Sequence, residues 1–144
     1  MPRSMNAQDA LKKASLFSGL PKGALDRLAR VTAERNYKPG DLIIKEGDRA
    51  VAFFIIADGQ VEVLRGEKEI ARLGPADFFG EMALFEGYPR SSSVRALGDT
   101  KCLVLTQWDF MAELRGEPTM AIDMLSIMAK RLRAADARLE QAID

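Results

Sequence analysis

The sequence predicts an α+β fold: an antiparallel β-roll (jelly-roll) with N-terminal helices and a long C-terminal helix. Three observations predict it. Apolar residues recur at helical spacing in the first thirty-odd residues, and again after Leu105. Between these regions, glycines at 40, 47, 59, 66, 74, 80, 87 and 98 cut the chain into short segments rich in β-branched and aromatic residues. Short strands bounded by turn residues at this spacing mark an antiparallel sandwich or roll. The 144 residues are enough for one domain with an ordinary core.

The elements follow in order. Residues 1–15 are read as an N-terminal segment, partly of vector origin because a second Met stands at position 5; residues 16–144 are read as the domain proper. Asn6 or Asp9 starts a short helix through Lys13. Phe17–Leu20 is an apolar connector. Pro21 then opens a second helix at its first position, where a missing N–H costs nothing. Leu25, Leu28 and Val31 line one face of it. Strands are expected at Asp41–Lys45, Ala52–Ala57, Gln60–Arg65, Glu69–Leu73, Ser92–Ala96 and Lys101–Leu105, with Asp58-Gly59 as a turn. Val61–Leu64 alternates, whereas Phe53–Ile56 is apolar throughout and needs cover on both faces. Thr106 is the expected N-cap of a helix over Gln107–Leu114. The last helix runs from Pro118 to Ala142. Its Ala121, Leu125, Met128, Leu132, Ala135, Leu139 and Ala142 alternate spacings of four and three, a short seam for packing on its own domain or for self-association.

Composition removes several function classes. Lys and Arg balance Asp and Glu at 21 each, so a strongly basic nucleic-acid surface is not indicated. The single cysteine, Cys102, forms no internal disulfide and fits a reducing compartment. Histidine is absent, which excludes a Ser-His-Asp triad and a histidine-bound zinc. No metal and no resident cofactor are expected. The longest apolar run, Ala50–Ala57, is too short to cross a bilayer, and Met1–Met5 lacks a secretion signal. A cytoplasmic protein is the expectation.

One stretch does not read as plain core: FFGEMALFEGYPRSSSVRA, Phe78 to Ala96. Gly80 to Phe85 favours a single helical turn, whose first N–H groups would lack partners and attract an anion. Gly80 lets a ligand approach the backbone closely. Arg90, returned by the Gly87–Pro89 turn, brings a guanidinium that pairs phosphate oxygens in a fork. Ser91, Ser92 and Ser93 add donors. Glu81 would repel a phosphate but accepts from a sugar hydroxyl one group further off. The set reads as a site for a phosphorylated sugar. The same charges also read as a buried Glu81–Arg90 salt bridge closing a loop, with the serines on a solvated strand edge.

The stretch resembles the phosphate-binding cassette of the cyclic-nucleotide-binding domain family, of the catabolite activator and protein kinase A regulatory subunit type. The cassette motif is F-G-E, a hydrophobic residue, A or G, and L, then a short turn and P-R followed by small residues, Ser or Thr, and V. Phe79, Gly80, Glu81, Met82, Ala83, Leu84, Pro89, Arg90 and Val94 match it. Leu16–Ala29, Tyr37–Asp48, Phe53–Leu64 and Met128–Glu140 resemble further parts of the family fold, so the resemblance spans most of the chain.

The resemblance implies that Glu81 binds the ribose 2′-hydroxyl and Arg90 the cyclic phosphate. Backbone amides at Met82, Ala83 and Ser91 supplement the anion site, and Phe79, Gly80 and Ser92 complete the cassette. Val63, Ile70 and Ala71 line the ribose and base. Arg131, Ala135 and Asp136 fall on the C-terminal helix that caps the base and carries the signal by moving. Ala135 and Asp136 stand where the bacterial activator presents hydroxyl residues, which opens the choice of base. Asp136 could accept from the adenine amino group or from guanine N1–H and N2–H₂. The implied function is a non-enzymatic receptor for a cyclic nucleotide, cAMP first and cGMP as the alternative. The implied partners are that small molecule and a second copy of the chain through the C-terminal helix, with no nucleic acid and no membrane. The chain ends at Asp144 without a helix-turn-helix, so DNA reading is not expected within these residues. The competing class is an interaction or dimerisation domain that kept the fold and lost the ligand.

Overall fold

The computed structural model describes residues 6–13, 17–80 and 89–143. Its layering follows from β3 (Ala52–Asp58), the all-apolar strand. Successive side chains of a strand point to opposite faces, and both faces of β3 are covered. Phe53, Ile55 and Ala57 join a core built with α1 (Ala7–Lys13), α2 (Lys22–Val31), α3 (Gln107–Gly116) and α4 (Pro118–Ile143), through Leu11, Leu28, Phe110 and Met120 among others. Ala52, Phe54 and Ile56 join a second core with Ile44, Val61, Val94, Cys102 and Val104. Helices therefore cover one face of β3 and a second sheet covers the other.

The strands pair into two antiparallel sheets of four. The first has the order β1 (Ala33–Tyr37), β8 (Thr100–Thr106), β3, β6 (Phe78–Phe79). The second has the order β2 (Leu42–Ile44), β7 (Ser93–Ala96), β4 (Val61–Arg65), β5 (Lys68–Leu73). This corrects the expected β-roll of jelly-roll type. The α+β class, the N-terminal helices and the long C-terminal helix stand, but among the described residues no sheet closes or curls on itself. The edges give the reason. β1 carries Glu34, Arg35 and Asn36 exposed to water, and β6 is two residues long. Charged or very short edge strands end a sheet instead of extending it. Strand length and turn spacing are the same for a roll and for two separate sheets, so the sequence pattern did not distinguish them.

The helix ends obey local chemistry. Asn6 Oδ1 accepts from Asp9 N at 2.8 Å, so Asn6 is the start of α1. Pro21 has φ −61° and ψ 156°, which places it just outside α2 as its cap and not at the first helical position. The Thr106 hydroxyl accepts from Asp109 N at 3.2 Å, as expected of an N-cap, and α3 continues past Leu114 to Gly116.

Two turns set the strands that frame the site. Gly59 has φ +92°, and a Cβ there would collide with the Asp99 carbonyl oxygen. Gly74–Asp77 is a turn closed by Asp77 N donating to Gly74 O at 2.9 Å, with Pro75 second and Ala76 third. Ala76 takes φ 75°, left-handed backbone that disfavours a side chain. It is clamped there by Ala76 N to Ile56 O and Ile56 N to Asp77 O, both 2.9 Å, which delivers Phe78 and Phe79 alongside β3.

Candidate functional site

Arg90 is fixed first through its backbone. Its N–H donates to Asp48 O at 2.7 Å, its carbonyl accepts from Gly47 N at 2.9 Å, and Pro89 bridges to Arg49. The 47–49 loop thus grips the arginine on both sides and sends the side chain inward. Nη2 donates to the Ala52 carbonyl at 2.6 Å. Cζ lies 6.0 Å from the centroid of the Phe54 ring. That ring is stacked on Phe79, with centroids 5.0 Å apart and planes 9° apart. Gly80, at φ +81°, presses against the guanidinium: a Cβ there would collide with Nη1 and come within 3.0 Å of Ala52 O. Only glycine fits, for both reasons.

The electrostatics follow from the partners. Arg90 is half-buried, and burial pushes its pKa below the usual guanidinium value. Among the described residues no carboxylate forms an ion pair with it. A backbone carbonyl and an aromatic face hold it instead, and neither cancels its charge. Beside it lies a cavity of about 160 Å³, lined by Lys45, Arg49, Phe54 and Arg90 among others. The arrangement sets Lys45, Arg49 and Arg90, with the acidic Asp48 among them, beside the apolar wall of Phe54 and Ile44.

The expected site residues are placed as follows. Phe79, Gly80 and Arg90 come together as described. Glu81, Met82 and Ala83 lie outside the described residues, and with them the salt-bridge reading of Glu81. Ser91 is exposed and Ser92 half-buried, while the Ser93 hydroxyl accepts from Glu46 N at 2.9 Å. Val63 and Ala71 are register partners across β4 and β5, and Val63 packs against the inter-sheet core that holds Phe54 and Phe79. Ile70 falls in the bulge between the pairs Val63–Ala71 and Leu64–Glu69, where it is exposed. Arg131 and Ala135 line an open groove of about 540 Å³ along α4, together with Met128, Leu132, Ala134 and Arg138. Asp136 is exposed and outside that lining.

Sequence reading missed Ala52 and Phe54. Ala52 acts through its carbonyl, which has no side-chain signature. Phe54 sits in a run that reads as core, and the only available signal was that alternate residues of β3 must face the second sheet. Two other groups that could suggest chemistry are accounted for structurally. Glu62 is buried on β4, but its register partner on β7, Arg95, donates to it from both Nε and Nη2. Cys102 is sealed between the sheets, and burial pushes its thiol up to about 12, so it is not a nucleophile at neutral pH. Among the described residues no cluster of His, Cys, Asp or Glu could hold a metal, and no helix is long and apolar enough to cross a membrane.

Comparison with known proteins agrees with this geometry. The family model described as "Cyclic nucleotide-binding domain" matches residues 34–117, more than half of the chain. The "Cyclic AMP receptor protein" of Thermus thermophilus is 35% identical over 135 residues, covering 90% of this chain and 62% of its own length. A "cGMP-dependent protein kinase" of Toxoplasma gondii is 32% identical over 135 residues, covering 94% of this chain and 13% of its own. The chain thus spans less than two thirds of either relative. Among solved structures, the N-terminal domain of a transcriptional regulator from Streptomyces coelicolor superposes with a TM-score of 0.85 at 29% identity, covering 90% of this chain and 96% of that one. The chain therefore belongs to the cyclic nucleotide-binding domain family, as a regulatory ligand-binding module and not itself a catalyst.

Proposed function

We propose that the module is a cAMP receptor that works in the cytoplasm and signals through movement of α4. The observation that carries this reading is Arg90, half-buried beside Gly80 and over Phe54, with its charge uncancelled by any described carboxylate. In the proposed complex Arg90 forks the cyclic phosphate, helped by the amides of Met82, Ala83 and Ser91 and by Ser92. Glu81 accepts from the ribose 2′-hydroxyl. Phe79, Val63, Ile70 and Ala71 line the sugar and base. Arg131, Ala135 and Asp136 reach the base from α4, with the Asp136 carboxylate accepting from the adenine amino group. The exposed second half of α4 and the break at Gly116–Pro118 support a helix able to swing onto the ligand.

The choice of cAMP rests on the relative named for cyclic AMP, since the Asp136 carboxylate can accept from adenine and from guanine alike. The kinase relative named for cGMP keeps guanine as the second reading. Exposed Leu125, Leu132 and Leu139, seven residues apart, support a parallel homodimer through α4.

Competition titration tests the reading. cAMP is expected to bind at least about tenfold tighter than cGMP, a gap of about 1.4 kcal/mol. Equal affinities would remove the preference, and binding of neither would remove the receptor reading. Arg90→Ala is expected to weaken binding about 30- to 1000-fold, from loss of a charge-assisted fork, with little change in thermal stability. Glu81→Gln is expected to lose discrimination against the 2′-deoxy nucleotide, because an amide oxygen accepts less strongly than a carboxylate.

A further inference from the structure

The guanidinium of Arg90 raises a mechanical question. An arginine side chain has several rotatable bonds, and tethering one end to an anion is costly unless the group is already aimed. Ion pairing with a protein carboxylate is the common way to aim a buried arginine, but it spends the charge the ligand needs. Among the described residues the fixing is done by groups without charge. One of the five N–H donors of the fork goes to the Ala52 carbonyl. Gly80 forms a backstop on Nη1. Among the described residues the other group facing it is the ring of Phe54, whose centroid lies 6.0 Å from Cζ. An aromatic face carries partial negative charge, so it attracts a guanidinium without neutralising it.

The Phe54 ring is itself held. Phe79 stacks on it nearly parallel, and Ile44, Val63 and Val94 belong to or pack against the same core. Registers place Phe54 opposite Phe79 on β6 and opposite Val104 on β8, so the ring plane is set from both neighbouring strands. A guanidinium 6.0 Å above the centroid of such a ring is drawn toward its face, which is fixed. Leucine or methionine would fill the volume but would offer no charged face.

We infer that Phe54 is a positioning residue for the phosphate-binding arginine: its ring, braced by Phe79, aims the Arg90 guanidinium at the incoming anion while leaving its charge unspent. This rests on the receptor reading above. It also adds the β3 strand, which the cassette motif does not contain, to the determinants of nucleotide affinity.

The test separates an electrostatic role of the ring from a packing role. Phe54 is replaced by trifluorophenylalanine, which keeps the ring's shape and removes the negative charge of its face. Phe54→Leu is made as well, and both changes are repeated in an Arg90→Ala background. cAMP and, separately, cGMP are titrated by calorimetry, with thermal melts alongside. The trifluoro variant is expected to melt near the wild type and to bind about fivefold more weakly. Phe54→Leu is expected to lose at least as much. In the Arg90→Ala background either change is expected to alter affinity less than about twofold, because the group it acts through is gone. Wild-type affinity in the trifluoro protein, or an equal loss in both backgrounds, overturns the inference and leaves the receptor reading standing. If the trifluoro protein does not fold, the Phe54→Leu cycle alone decides by the same criterion. A wild type that binds neither nucleotide overturns the receptor reading and this inference with it.

Discussion

The two halves of α4 carry the same kind of sequence and meet different fates. In the first half, Met120 and Met124 are 1% and 2% exposed, and Met128 packs against the same core. Ile127 sits over the connector, where a Cβ on Gly19 would come within 3.2 Å of its Cδ1. In the second half, every described side chain from Ala129 to Gln141 is exposed, Leu132 and Leu139 included at 65% and 61%. Even the first half has an outer apolar stripe, since Ile122 and Leu125 are 62% and 65% exposed. The helix therefore has two apolar faces. The methionine face ends where the domain ends, and the leucine face continues at intervals of seven. An apolar period shows that a helix has something to cover, and only the fold shows which stripe its own domain covers.

The comparison breaks most visibly in the core. Met124→Ala leaves a cavity among Phe53, Phe110 and their neighbours and is expected to cost about 2–5 kcal/mol. Leu132→Ala is expected to stay within about 0.5 kcal/mol in the monomer, because an exposed leucine has little burial to lose. Urea denaturation at low protein concentration measures both. A Leu132 loss matching the Met124 loss would mean that the outer stripe is covered after all.

The next effect concerns the outer stripe alone. Leu132→Glu puts a carboxylate of each copy into the middle of the proposed seam. It is expected to weaken dimerisation at least about tenfold, with the melting temperature of the monomer unchanged. Sedimentation of both proteins across a concentration series is the measurement. A wild type that stays monomeric throughout would take away the proposed homodimer.

How much of this was legible beforehand depends on what each feature is made of. β3 and β4 were legible because burial repeats along their own residues. β1 was not: no strand was expected over Ala33–Tyr37, whose residues do not alternate in burial, and β8 supplies its hydrogen bonds. The sheet edges that separate a roll from two sheets are negative features with no pattern of their own. In the site, Gly80 and Arg90 were legible because glycine and arginine announce unusual backbone and fixed charge. Ala52 was not, since any residue has a carbonyl. The expected seam of α4 combined both faces, pairing Met128, which turns inward, with the leucines, which do not.

A smaller effect sharpens the inner face. Gly19→Ala would set a methyl against the Ile127 side chain at 3.2–3.3 Å, tighter than ordinary contact but against a flexible end. The expected loss is under about 1 kcal/mol. A loss of several kcal/mol would show that Ile127 has no room to yield, making this contact a firmer anchor of α4 than its geometry suggests.

The smallest effect tests how the start of α4 is moored. Glu117 precedes Pro118, and its carboxylate takes an ion pair from Arg27 of α2 at 2.8 Å and a hydrogen bond from the Thr119 hydroxyl at 2.6 Å. The Thr119 hydroxyl and then the Arg27 charge hold its carboxyl below the ordinary value of 4.5. Both partners of the ion pair are more than a third exposed, so solvent screens it and its contribution is small. The sign is that of a depressed acid. Its contribution is fully present above the unfolded pKa and is lost as pH falls through the lower folded value. Thermal melts of wild type and Glu117→Gln should therefore differ by a constant amount above about pH 5 and converge as pH falls below 4.5. Leu132→Gln, on the unmoored half, should show no such convergence. A gap between wild type and Glu117→Gln that persists unchanged through the acid range would mean that the carboxylate does not moor the helix.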